Sequence, residues 1–228
     1  MRIGVASWLL ASALAFASAK ADEQKCGEWI RLSVDPAGKT GDVAAVLRRR
    51  LAAASARAPL VEMDGGLRVM LPAGVSESVL TQPAKIEFRL VAKSPEEPGA
   101  VVLPRRDGNG SESVEPQIIV NERRLREVKV VEASGSGAVA IAFRFDPEAV
   151  KNLLAATVDA VGRKLAIIVD DQIVVDPIIR APLASVEGEI SGAFTKSYAS
   201  QLVDLLRNGR LDGRVAIVSR APAPCATP

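Results

Sequence analysis

Between Gly162 and Arg180 the sequence reads GRKLAIIVDDQIVVDPIIR, with two aliphatic blocks, Leu165 to Val169 and Ile173 to Val175, on either side of an acidic pair. β-Branched side chains are stiff in a helix and pack well on a pleated surface, so each block reads as a strand. Asp170 and Asp171 fall at the junction, where acidic residues favour a tight turn because they tolerate unusual backbone angles and bond their own backbone. The stretch therefore reads as a hairpin. A catalytic reading would need the two carboxylates to converge on a pocket at about 5–10 Å with divergent pKa values. Adjacent residues at a loop tip tend to point apart.

The helix before this hairpin carries a full set of end signals: Asp146 as N-cap, Pro147 at the first helical position, Glu148 in the first turn and Gly162 past the end. Val150, Leu153, Leu154, Thr157, Val158 and Val161 fall on one stripe, expected to face the core. After the hairpin, Val186 to Ile190 reads as a strand. Thr195 then opens a helix with Tyr198, Leu202, Leu205 and Leu206 inward and Asn208-Gly209 as its stop. Arg214 to Val218 reads as a last strand, followed by a Pro/Ala-rich tail.

Earlier in the chain, Glu28 to Val34 alternates as a strand, and Val43, Leu47, Leu51 and Ala54 share one helical stripe. Leu60 to Met63 and Leu67 to Leu71 read as a hairpin, and Lys85 to Val91 as a half-buried strand. Residues 92–116 are rich in Pro, Gly and charge, which points to a long mobile connection. Further strands are expected at Gln117 to Val120, Val128 to Glu132 and Val139 to Phe145. The pattern is α+β: two small subdomains of mixed or antiparallel sheet packed with helices.

At the N-terminus a single Arg2, an apolar run from Ile3 to Ala17 and small residues up to Ala21 have the layout of a secretory signal, with cleavage expected after Ala19 or Ala21. The apolar run is shorter than the roughly 20 residues a membrane span needs. The expected location is periplasmic or secreted. Removing residues 1–21 takes away Arg2 and Lys20 from the 29 basic residues and leaves balance with the 27 acidic ones. A polyanion such as nucleic acid is therefore a poor partner.

The chain has no histidine, which removes the Ser-His-Asp triad and histidine-based zinc sites. Gly135-Ser136-Gly137 precedes a strand and not a helix, so it is no dinucleotide fingerprint. Asp107-Gly108-Asn109-Gly110 lacks the distal glutamate of a calcium loop. No cofactor, metal site or enzymatic activity is expected. Two cysteines, Cys26 and Cys225, stand near the ends of the mature chain, and in an oxidising compartment an even pair suggests a staple.

A series of motifs resembles the SecD family of protein-export subunits. The stretch Gly162 to Asp170, the Asp176-Pro177-Ile178-Ile179 run, Glu189 to Thr195 and Asp204 to Leu211 follow that family's order, and Phe145-Asp146-Pro147-Glu148 fits the entry to its helix. Val46 to Leu51 and Ala84 to Val91 are similar to its first unit. The resemblance implies the first periplasmic domain: a ferredoxin-like base at residues 28–92, a linker at 93–116, a SecD-head-like unit at 117–211, and a final strand with tail at 212–228. It further implies a binding module that engages exported polypeptides or a translocon-associated partner. The chain stops before any membrane helices, so no proton-driven step is expected of it; an envelope protein unrelated to export is the alternative. In SecD the membrane holds the domain's two ends together, and a Cys26–Cys225 disulfide is expected to take that place.

Overall fold

The computed structural model describes residues 27–36, 39–54, 61–63, 66–133, 137–192 and 194–223. The signal-like segment with Ala19 and Ala21, both cysteines, and the Gly135-Ser136 pair lie outside them.

β1 (Gly27–Asp35) buries Ile30 and Leu32 and exposes Arg31 and Ser33, the period of a strand covered on one face. It pairs antiparallel with β3 (Leu67–Pro72) and β13 (Arg214–Ala223), and β2 (Val61–Met63) completes the order β13-β1-β3-β2. α1 (Thr40–Ala54) and α2 (Ser78–Thr81) bring Val43, Leu47, Leu51, Val79 and Leu80 into one core cluster with this sheet.

A second, larger cluster gathers β4 (Ile86–Leu90), β7 (Val120–Asn121), β8 (Leu125–Glu132), β9 (Val139–Phe145), α3 (Pro147–Thr157), β10 (Leu165–Val169), β12 (Glu187–Ser191) and α4 (Lys196–Asn208). Its strands form two sheets, β12-β9-β8 and, with β11 (Gln172–Val175), β11-β10-β4-β7. Phe88, Phe143 and Phe145 meet edge to face between them, with ring centroids 5.0–6.1 Å apart. Both helix starts follow their cap chemistry: the Asp146 side chain accepts from the Ala149 N–H and that of Thr195 from the Tyr198 N–H.

Every residue of β10 is buried. Leu165, Ile167 and Val169 face the large cluster, whereas Ala166 and Ile168 belong to a third cluster with Val114 and Ile173. That third cluster is roofed by a hairpin of β5 (Val101–Pro104) and β6 (Ser111–Val114). The segment expected as an open connection thus folds over the outer face of β10. Two other expectations change for related reasons. The strand at 86–90 pairs with β10 and β7 and not with the first unit, and β13 returns to pair with β1. The chain therefore crosses between the clusters at residues 82–85 and again near residues 209–211.

Candidate functional site

Both crossings converge on one arginine. Arg50 on α1 is 2% exposed. Its guanidinium donates to the Gly209 carbonyl at 2.7 and 3.0 Å, to those of Gln82 at 2.7 Å and Pro83 at 3.2 Å, and to that of Val79 at 3.2 Å. Arg49 donates to the Asn208 carbonyl at 3.1 Å, and the Leu211 N–H donates to that of Pro83. A planar fork with five N–H groups can make all five bonds across two chain segments, whereas an ammonium has only three donors. Burial pushes the Arg50 guanidinium down to about 10 against the opposing pull of Asp170, so it is still a cation at neutral pH.

The acidic pair closes the same node. Asp170 and Asp171 have φ of 48° and 62°, the left-handed pair of a two-residue type I′ turn between β10 and β11. Asp170 accepts from the Lys85 N–H at 2.8 Å and from the Gln82 side-chain amide at 2.9 Å, while Asp171 pairs with the Lys85 ammonium at 2.9 Å. The hairpin reading holds, and the carboxylates do not converge on a pocket. Their role as a clamp on residues 82–85 had no local signal, because the partners are more than eighty residues away in sequence.

The β5–β6 roof is fastened by charge. Asp176 receives two hydrogen bonds from Arg105, at 2.6 and 3.0 Å, and one from Lys164 at 2.9 Å; both cations also reach Glu112. The Arg105 fork, helped by Lys164, holds the Asp176 carboxyl far below the usual carboxylate range. Arg163 pairs with Glu115, and the Arg106 guanidinium lies 3.8 Å from the centroid of Tyr198, whose ring stacks on Phe194. These carboxylates and cations are matched in a structural network, a poor arrangement for general acid–base work. Among the described residues no cluster of acidic or cysteine side chains is placed to hold a metal ion.

What stands open is apolar. α3 turns Ala149, Leu153 and Thr157 inward, and the other half of the expected stripe faces out: Leu154 is 38%, Val158 50% and Val161 52% exposed. The helix ends at Thr157, so the last two lie in the turn beyond it. The Gly162 N–H donates to the Ile179 carbonyl at 2.8 Å and draws Ile178, 57% exposed, to the same end of the molecule. Singly exposed aliphatics are ordinary, whereas four near one helix end are a candidate contact surface. In the same unit β12 lies at the edge of its sheet, with backbone groups available for strand addition. A cleft of about 360 Å³ between α1, α2 and α4 has a mixed lining, with Ala53, Val79 and Leu205 beside Ser197, Gln201 and Asp204.

The family model for the P1 head subdomain of SecDF matches residues 100–212, the stretch that contains the roof, the hairpin clamp, α3 and α4. These residues carry the SecDF P1 head subdomain. The protein translocase subunit SecD of Acetobacter pasteurianus is 28% identical over 189 residues, covering 77% of this chain and 36% of that protein. SecD of Aquifex aeolicus is 28% identical over 181 residues, covering 73% and 36%. The chain spans about a third of the length of these relatives. A crystal structure of SecDF in the super-membrane-facing form matches 87% of this chain with a TM-score of 0.66 at 22% identity. A structure of a membrane component SecDF that enhances protein export matches 84% of it with 0.64 at 20%. The fold is that of the SecDF P1 region, and the apolar patch lies on its head. No helix among the described residues is long and apolar enough to cross a membrane.

Proposed function

We propose that this chain is an exported, periplasmic module whose P1 head engages extended segments of exported polypeptides or a translocon-associated partner. The observation that carries the reading is the coincidence of the P1 head match with uncovered apolar side chains, Leu154, Val158, Val161 and Ile178, in a unit that also has an edge strand, β12. An extended chain can add to such an edge through backbone hydrogen bonds, and the exposed aliphatics offer rest points for apolar side chains. The named relatives are translocase subunits, which favours a client of the export pathway over an unrelated envelope partner.

The test is photo-crosslinking from position 158 in the periplasm, combined with binding of one polypeptide presented folded and unfolded. Crosslinks to exported chains or export machinery, and micromolar binding of the unfolded form alone, support the reading. Equal affinity for both forms, or a single abundant folded envelope protein on the crosslink, overturns it.

A further inference from the structure

The ladder between β1 and β13 runs antiparallel through to Gly27 opposite Ala223, both buried. Those residues are one and two positions from the chain's two cysteines, Cys26 and Cys225, which themselves lie outside the described residues. Paired Cα atoms in such a ladder sit about 4.5–5.5 Å apart and consecutive ones 3.8 Å, so the two cysteine Cα atoms can be separated by no more than about 17 Å. A bridge needs about 7 Å or less, well inside that reach.

We propose that Cys26 and Cys225 are oxidised to an intramolecular disulfide that staples the open end of the β1–β13 ladder. The two thiols give up two protons and two electrons, and the disulfide of an exported thiol oxidant takes them and becomes a dithiol. β13 is an edge strand that closes the first sheet only by pairing with β1, and it is the last described segment of the chain. A bond at this end confines a very long loop in the unfolded chain and blocks fraying of the edge. Physiological oxidation rests on the export reading; the geometry does not.

Two experiments separate these. First, the reduced full-length mature chain is refolded in a glutathione redox buffer and its intact mass is compared before and after reduction. A monomer lighter by one pair of hydrogens, with no thiol alkylated in denaturant until reductant is added, is expected. Two alkylatable thiols, or a reducible dimer, overturn the proposal wherever the protein resides. Second, the same measurement on protein taken directly from the periplasmic fraction should give the oxidised monomer; a reduced chain there, after successful refolding oxidation, overturns the physiological claim and points to a fault in the export reading. The Cys225→Ser variant should melt roughly 5 °C lower than the oxidised protein and match the reduced one. An unchanged melting temperature on reduction overturns the stapling role.

Discussion

The β1 and β10 sheets bury their strands in different ways. β1 is covered on one face, and its burial alternates along the strand; β10 is covered on both, and all five of its residues are buried. A strand of the first kind needs only α1 and α2 beneath it. The second kind needs two covers, and its outer one, the β5–β6 roof, is made from a polar segment held by ion pairs around Asp176. The difference shows that a run of unbroken apolar residues demands a partner layer even where no neighbouring sequence advertises one.

Arg50 joins the two halves, and its removal should have the largest effect. Arg50→Met takes the guanidinium donor from the carbonyls of Val79, Gln82 and Gly209 and one of two donors from that of Pro83, and should cost about 3–5 kcal/mol in chemical denaturation. It should also split a single unfolding transition into two. One transition in the variant, at unchanged stability, would show that the clusters are coupled by other means.

Ile168→Ala comes next, at about 3 kcal/mol, because it opens a cavity under the roof where the side chain is 1% exposed. Proteolysis should then reach residues 92–116 sooner than in the parent protein. Cleavage of that segment first and fast in the parent would undo the two-cover comparison.

Asp176→Asn should cost about 1.5 kcal/mol at neutral pH through its lost charge-assisted bonds to Arg105 and Lys164. The folded-state pKa lies below the unfolded value near 3.9, so this stability is present above about pH 4 and disappears as pH falls further. Denaturation curves of the two proteins should therefore converge on acidification; a gap that stays constant to low pH would remove Asp176 from the fastening.

The smallest stability change, within about 0.5 kcal/mol, is expected for Val158→Ser, since the side chain is half exposed. Its effect should appear instead as weaker capture of unfolded polypeptide. Full binding by this variant and by Ile178→Ser would move the contact face away from α3.

Much of the local structure was legible. Asp146-Pro147-Glu148 marked the start of α3 and Thr195 that of α4, and both caps form the expected bonds. Asp170-Asp171 read as a turn and is one. The α3 stripe was only half right: Leu153 and Thr157 are buried, while Val158 and Val161 form the open patch. Periodicity identifies one side of a helix without saying how much of that side meets a neighbour.

The sequence by itself determined most of the helices and strands outside residues 92–116, the caps, the tight turn and the lack of histidine chemistry, because these depend on side-chain sterics and hydrogen bonds within a few residues. Only the tertiary structure decided that β4 joins β10, that the polar segment after it becomes a roof, and that Arg50 and Asp170 clamp both crossings between the clusters. Those choices are made by pairings across tens to hundreds of residues, where many partners satisfy the same local pattern. The winner is the arrangement that covers both faces of β10 and leaves no buried side-chain donor or acceptor unpaired among the described residues.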